Sequence, residues 1–236
     1  MQNTTRPSEL ETPLKSTALR FQATKSSGEV SAELLAPEDA RRLLILGHGA
    51  GAGMKHAFME AIARELAGCA IATFRYQFPY MEHGNRRPDP TPVLLATVRS
   101  AVAAAAAAAP SLPLLAGGKS MGGRMTSMAA AEGPLPGVQG LVFLGFPLHP
   151  AGEPSTRRSE HLLEVAHPML FLQGTRDTLA DLDLLRPVLD RLGDRATLHV
   201  VEGADHSFHI LKRSGRTAEQ VLSELGKTVV EWSSRL

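Results

Sequence analysis

The stretch Leu112-Pro113-Leu114-Leu115-Ala116-Gly117-Gly118-Lys119-Ser120-Met121-Gly122 joins an apolar run to a tight, glycine-rich turn. This order predicts a β-strand, a sharp turn, and a helix that begins near Ser120 and continues to Ala131. The pattern Gly-x-Ser-x-Gly at such a junction is typical of a nucleophile elbow. A strained turn there lifts the serine hydroxyl clear of the backbone, and glycines on either side leave room for a close neighbouring helix. We therefore expect Ser120 to be a nucleophile.

The composition is that of one large α/β domain. The chain has 236 residues, of which 43% are hydrophobic and 21% are charged, and its formal net charge is +1. This length supports a substantial core. The near balance of charges gives no reason to expect a nucleic-acid partner.

The sequence also bears on the compartment. Residues 1–10 lack the apolar segment of a signal peptide, and the longest apolar candidate, Ala101–Ala109, is too short to span a membrane. Cys69 is the only cysteine, so an internal disulfide is impossible and a reducing compartment is favoured. We expect a cytoplasmic protein without a membrane partner, in which Cys69 is a buried structural thiol.

Strand and helix patterns alternate along most of the chain, which predicts a mostly parallel sheet covered by helices on both faces. Residues 1–15 are expected to form a flexible tail, and residues 16–236 a single domain without a linker or internal repeat. The predicted strands cover residues 18–24, 30–36, 42–46, 70–76, 112–116, 138–144, 167–172 and 196–201, and the predicted helices residues 54–66, 93–109, 120–131, 182–192 and 217–235. Proline-rich loops at 77–90 and 146–160 are expected to shape the pocket.

A serine nucleophile needs a general base and a carboxylate that orients the base. On an α/β sheet with an elbow these follow the serine in the order acid, then histidine, each after the end of a strand. Asp177 and His206 meet this requirement. Asp181 and Asp183 fall where a helix cap explains them, and His209 lies further along the same loop as His206.

The glycine-rich segment 47–53, Gly-His-Gly-Ala-Gly-Ala-Gly, follows the third predicted strand. A loop in this position supplies one N–H of the oxyanion hole, and the residue after the nucleophile supplies the other. We assign Ala50 and Met121 as these donors and leave Gly51 open as an alternative to Ala50. His48 is expected to be a structural hydrogen-bonding residue.

Two other readings of the glycine motifs are disfavoured. A phosphate-binding loop ending in Gly118-Lys119-Ser120 requires a glycine at position 113, where the chain has proline. Dinucleotide binding after the third strand requires an acidic residue at the end of the next strand, which instead ends in Arg75 and Tyr76. A non-catalytic interaction domain on a hydrolase fold stays open as the alternative.

Four motifs together resemble the small α/β-hydrolases of the dienelactone-hydrolase-like type: residues 47–51, 117–124, 146–150 and 203–206. The resemblance covers roughly residues 17–235, and its nearest subgroup contains a subunit of the NSL histone-acetyltransferase complex and a testis-expressed relative. It implies an α/β-hydrolase fold with an eight-stranded sheet and a Ser120–Asp177–His206 triad. No large lid domain fits between the predicted strands, and no cofactor or metal is expected. Dienelactone hydrolases use a cysteine nucleophile, and this chain has Ser120 there.

These features predict a serine hydrolase that cleaves a small ester or thioester through an acyl-enzyme. The loops expected around the pocket carry more cations than anions, which favours a small anionic substrate because a positive rim concentrates anions. Lys119, Arg75 and His149 are our candidate substrate-binding residues. The oligomeric state is left open.

Overall fold

All eight strands lie in one sheet in the computed structural model, which describes residues 14–236. Most of the predicted flexible tail, residues 1–13, lies outside the described residues. The strands are β1 Thr17–Thr24, β2 Gly28–Leu35, β3 Arg42–Gly47, β4 Ile71–Tyr76, β5 Leu114–Lys119, β6 Val138–Leu144, β7 Met169–Gly174 and β8 Ala196–Val201. Their spatial order is β1-β2-β4-β3-β5-β6-β7-β8.

The sheet is parallel from β4 to β8, and antiparallel only where β1 pairs with β2 and β2 pairs with β4. The central strands are apolar and buried along almost their whole length, because helices cover both faces of the sheet. The predicted fold class, a mostly parallel eight-stranded sheet between helices, is confirmed.

Six α-helices cover the sheet within residues 14–236, and most of their buried apolar residues belong to two large clusters; a third, small cluster joins Leu35 of β2 to Ala63 and Ala67 of α1. Helices α1 and α6 pack on one face, whereas α3, α4 and α5 pack on the other. The helices are α1 Ala57–Gly68, α2 Pro79–Glu82, α3 Thr91–Ala108, α4 Met121–Glu132, α5 Leu182–Leu192 and α6 Ala218–Ser233, and short 3-10 segments occupy Arg157–Glu164, Gly193–Arg195 and Lys212–Ser214.

Local chemistry explains where the ends of these helices differ from the prediction. Helix α1 begins at Ala57, three residues later than predicted, because the His56 side chain accepts the N–H of Phe58 and caps the first turn. Helix α6 begins after Thr217, whose side chain forms a capping box with Gln220. The short helix α2 and the 3-10 segment at Arg157–Glu164 lie in regions that were predicted as loops.

Helix α3 is the one helix in residues 14–236 that is long and apolar enough to cross a membrane, with a mean hydropathy of 1.5. It packs against β1, β3 and α4 and buries residues such as Leu94 and Val98, as the core helix of an α/β domain does. Cys69, at the C-terminal end of α1, is only partly buried, which corrects the expectation of a fully buried thiol.

Close backbone contacts fix the junction between β5 and α4. A Cβ on Gly122 would lie 2.2 Å from the carbonyl oxygen of Gly47, and a Cβ on Gly117 would lie 1.8 Å from that of Val142. Only glycine allows α4 to approach β3 and β5 to approach β6 this closely. Because β3, β5, β7 and β8 run parallel, the connections that follow them converge at the carboxyl edge of the sheet, and within residues 14–236 none of them forms a lid domain.

Candidate active site

Ser120 occupies the turn between β5 and α4 in a strained backbone conformation. Its φ of 50° and ψ of −115° lie outside the regions that residues other than glycine normally adopt. The N–H of Ser120 donates to the carbonyl oxygen of Leu144, at 3.1 Å, which ties the turn to the end of β6. The predicted strand, sharp turn and helix are all present, and the serine side chain faces the edge of the sheet where the other loops meet.

Two hydrogen bonds connect Ser120 to a histidine and a carboxylate from distant parts of the chain. Ser120 Oγ lies 2.8 Å from His206 Nε2, and His206 Nδ1 lies 2.7 Å from Asp177 Oδ2. The Asp177 side chain is fully buried, whereas that of His206 is 20% exposed. This arrangement can pass a proton from the serine hydroxyl to the imidazole while the carboxylate holds Nδ1 protonated.

A glutamine that the sequence analysis missed holds the carboxylate. Gln173, at the end of β7, is fully buried; its Nε2 donates to Asp177 Oδ2, and its Oε1 accepts the N–H of Phe146 at 2.9 Å. The other carboxylate oxygen, Oδ1, accepts the N–H of Leu179 at 2.8 Å. Both Asp177 oxygens are therefore fixed by donors. The sequence did carry a signal for this role, because Gln173 is a polar residue in an otherwise apolar strand.

Three backbone amides near Ser120 are the candidate donors to an oxyanion. Met121 is the first residue of α4, so its N–H has no partner within the helix. The N–H of Gly51 donates to the Tyr80 hydroxyl at 3.1 Å. Within residues 14–236 the N–H of Ala50 has no acceptor, and Ala50 lines the same pocket as Ser120. The geometry thus favours Ala50 over Gly51 as the second donor.

His48 holds this loop in place through hydrogen bonds, which is the structural role that was predicted. Its ring is fully buried, Nδ1 donates to the carbonyl of Gly49 at 2.8 Å, and Nε2 accepts the N–H of Phe78 at 3.1 Å. Burial lowers the pKa of His48 to about 4. The imidazole is therefore neutral at physiological pH and connects the loop after β3 to the segment after β4.

The three predicted substrate-binding residues already have protein partners. Lys119 Nζ donates to the carbonyl oxygen of His206 at 2.6 Å and is buried beneath the loop. Arg75 donates to Glu33 at 2.6 Å and to the carbonyl of Met54 at 3.1 Å, because β2 and β4 pair in a register that sets Glu33 opposite Arg75. Arg75 does not line the pocket beside Ser120, whereas Lys119 does and bonds there to the loop that carries His206.

The third residue, His149, is buried and has both ring nitrogens bonded. Nδ1 donates to the carbonyl of Pro150 at 2.8 Å, and Nε2 accepts the N–H of Asp181 at 3.1 Å. His149 therefore fixes the connection that contains Asp177, and it does not line the pocket beside Ser120. The structure thus gives no support for Arg75 and His149 as substrate-binding residues, and the assignment of Lys119 stays a prediction.

A pocket of about 640 Å³ opens beside Ser120, between α1, α6 and the loop that carries His206. Its wall is mainly apolar: Phe58 and Met59 come from α1, and Val221 and Leu222 from α6. Phe208 completes this wall and stacks on Phe58, with ring centroids 5.6 Å apart.

The position of this pocket corrects two predictions. Neither of the predicted pocket loops, residues 77–90 and 146–160, lines it. Among residues 14–236 its wall includes one lysine or arginine side chain, Lys119, whose amine is bonded to the His206 carbonyl. The other basic residues of these loops do not line the pocket, so its lining gives no support for the expected positive rim or for an anionic substrate.

A second serine–histidine pair lies outside the pocket that contains Ser120. Ser127 Oγ is 2.7 Å from His161 Nε2 and donates to the carbonyl of Arg124 at 2.9 Å. Ser127 is fully buried within α4 and does not line the pocket. In residues 14–236 no group of three or more histidine, cysteine, aspartate or glutamate residues is arranged to hold a metal ion.

A family model described as an alpha/beta hydrolase domain matches residues 40–234, and the chain belongs to this family. Its structure is similar to that of a dienelactone hydrolase from Anabaena variabilis, with 19% identity, a TM-score of 0.72, and coverage of 94% of this chain and 97% of that chain. It is also similar to an α/β serine hydrolase without a lid from Xanthomonas campestris, with 23% identity, a TM-score of 0.71, and coverage of 94% and 96%.

A third similar structure is the esterase domain of a Rhodothermus marinus protein, with 16% identity, a TM-score of 0.70, and coverage of 94% of this chain and 98% of that domain. At these identities the similarity concerns the fold, and it extends over nearly the whole of each chain.

Proposed function

We propose that this protein is a serine hydrolase that cleaves a small, uncharged ester or thioester through an acyl-enzyme on Ser120. The observation that carries the proposal is the unbroken hydrogen-bond relay from Ser120 through His206 to Asp177, at a strained elbow that opens on an apolar pocket. Residues held in strained backbone conformations are concentrated at functional sites. A nucleophile, its base and the orienting carboxylate in this geometry are the components of acyl transfer.

In the proposed reaction Ser120 Oγ attacks the carbonyl carbon of the ester while His206 Nε2 takes the hydroxyl proton. The carbonyl oxygen becomes an oxyanion, which the N–H groups of Ala50 and Met121 stabilise. Collapse of this intermediate breaks the bond to the leaving alcohol or thiol, which receives the proton from His206. Water then attacks the acyl-enzyme with His206 again as base, and Asp177 holds the imidazole in one orientation throughout.

The pocket wall supports a substrate whose bound part is apolar and uncharged. Burying a charged carboxylate against Phe58, Val221 and Leu222 would remove it from water without a partner, which costs several kcal/mol. Burying alkyl or aryl carbons there is favourable by roughly 25 cal/mol per Å². The pocket volume of about 640 Å³ is within the common range for small-molecule sites.

The comparisons support hydrolysis at the level of the family. The similar structures include proteins described as a serine hydrolase, an esterase domain and a dienelactone hydrolase. The serine at position 120 favours general ester hydrolysis over dienelactone turnover. The motif resemblance to the NSL-complex subgroup stays a prediction, as do the cytoplasmic location and the independence from cofactors.

Ester hydrolysis by matched variants tests this proposal. Ser120→Ala should lower kcat toward an uncharged p-nitrophenyl ester by about 10³-fold or more, because it removes the nucleophile. The control is Ser127→Ala, which also removes a serine bonded to a histidine but lies outside the pocket. Equal hydrolytic activity of both variants and the wild type would assign hydrolysis elsewhere, whereas a folded wild type without any esterase activity would favour a non-catalytic interaction domain.

Substrate charge is tested with a pair of esters of equal size. The uncharged ester should have the higher kcat/KM at low and at high salt. If a carboxylate-bearing isostere is preferred at low salt and loses this advantage as salt rises, then cations steer the substrate and the pocket assignment is wrong.

A further inference from the structure

Lys119 is a buried cation directly beside the nucleophile, and the proposed reaction gives it no chemical step. It is the last residue of β5 and is only 9% exposed. Lysine is rarely buried without a partner, because desolvation of its ammonium is costly. Here Nζ donates to the backbone carbonyl of His206 at 2.6 Å, and within residues 14–236 no carboxylate oxygen lies within 4.0 Å of it. The chain thus uses a buried cation to hold one carbonyl oxygen.

That carbonyl belongs to a loop with several internal constraints. Asp205 Oδ1 accepts the N–H groups of Ser207 and His209, each at 2.9 Å. Phe208 has a positive φ of 63°, which is unfavourable for a bulky residue, and its ring lies beneath Lys119 Nζ, with 5.7 Å between Nζ and the ring centroid. The loop is therefore held in a strained conformation, and Lys119 is the contact that reaches it from the strand bearing the nucleophile.

We propose that Lys119 is a positioning residue, whose amine holds the His206 carbonyl and thereby keeps the imidazole between Ser120 and Asp177. The inference rests on the proposed function, since it assumes that His206 is the base. The Lys119 side chain then connects the His206 loop to the strand end that carries Ser120, because Lys119 precedes Ser120 in the chain and bonds to the His206 carbonyl. A shift of about 1 Å in such an arrangement can cost 10²-fold in rate.

The charge state of Lys119 gives this role a pH signature. Burial lowers the pKa of Lys119 to about 8, although Asp177 and Asp205 act to raise it. Besides these two carboxylates, the His206 imidazole is the titratable group near Nζ; the loops that follow β3 and β6 approach the Lys119 side chain with Gly49 and Gly145, which carry no charge. Hydrogen bonds from a charged donor are roughly twice as strong as those from a neutral one. The anchoring bond should weaken as pH rises through about 8.

The test compares the pH dependence of kcat in three variants. In the wild type, kcat should fall as pH rises above about 8. Lys119→Met keeps most of the buried stem but removes the donor; kcat should fall by about 10²-fold with little change in KM, and the alkaline decline should disappear. Asp205→Asn keeps the acceptor Oδ1 but removes a negative charge that favours the ammonium, so the alkaline decline should move to lower pH. The control is Asp181→Asn, an exposed helix cap, which should not move it.

The outcomes separate this inference from the proposed function. If Lys119→Met has wild-type kcat and the same alkaline decline, Lys119 only fills space and the inference is overturned. If that variant does not fold, Asp205→Asn decides: an unmoved alkaline decline contradicts the role of Lys119. Circular dichroism between pH 6 and 10 excludes unfolding as the cause of any decline. Failure of the wild type to hydrolyse esters or react with a fluorophosphonate would instead contradict the proposed function.

Discussion

Acidification should destabilise this protein through His48, and the size of the effect follows from its burial. His48 has an ordinary pKa of 6.5, which burial lowers to about 4 in the folded chain. Between these two pH values the unfolded chain binds a proton that the folded chain excludes, so the free energy of unfolding falls as the pH falls. The stability that neutral His48 contributes is complete above pH 6.5 and is lost on going down through pH 4.

The loss of unfolding free energy at pH 5 depends on how far this pH lies below 6.5. In the unfolded chain His48 takes up its proton near pH 6.5, whereas in the folded chain it does not. At 1.36 kcal/mol per pH unit, a single such histidine removes about 2 kcal/mol between pH 7.5 and pH 5. His48→Gln retains an acceptor for the N–H of Phe78 but cannot take up a proton. Other titrating groups are common to both proteins, so they cancel when the two pH dependences are subtracted.

The assay is urea unfolding of wild type and His48→Gln at pH 7.5 and pH 5, with the free energies extrapolated to zero denaturant. The wild type should lose about 2 kcal/mol more than the variant over this range. An equal loss in both proteins would show that His48 takes up its proton without unfolding, and would contradict the fully desolvated position described above.

Three further substitutions have defined outcomes. Tyr80→Phe frees the N–H of Gly51, so KM should change little while kcat falls several-fold through the loosened oxyanion loop, as steady-state kinetics will measure. Gln173→Leu removes a donor to the Asp177 carboxylate and should lower the free energy of unfolding by about 2–4 kcal/mol in urea titrations, together with kcat. Gly122→Ala puts a Cβ 2.2 Å from a backbone oxygen and should prevent the chain from folding, which circular dichroism of the purified variant will measure.

Much of the fold could be predicted because its causes are local. Alternating apolar strands and helices require a parallel sheet that helices cover on both faces. The glycines around Ser120 show in the sequence where the backbone must approach its neighbours closely. Because Ser120, Asp177 and His206 each follow the end of a parallel strand, namely β5, β7 and β8, they were expected at one edge of the sheet, where the structure brings them within hydrogen-bonding distance. Their catalytic role stays a proposal.

The rest depends on contacts between residues far apart in the chain. Arg75 pairs with Glu33 because of the register between β2 and β4, which no local pattern encodes. Likewise, the choice of Ala50 over Gly51 follows from the position of the Tyr80 hydroxyl. The excess of cations in the loops was real, but charge counted along the sequence does not say which way a side chain points, and the pocket formed between α1 and α6 instead.

Covalent capture of the nucleophile examines the proposed acyl-enzyme without knowledge of the natural substrate. The wild-type protein is treated with a fluorophosphonate, and the modified peptide is identified by mass spectrometry. The proposal predicts one phosphonylated residue, Ser120, with labelling abolished in Ser120→Ala, retained in Ser127→Ala, and slowed in His206→Ala by about 10³-fold. Labelling of another residue, or an unmodified wild-type protein that retains its fold, would contradict it.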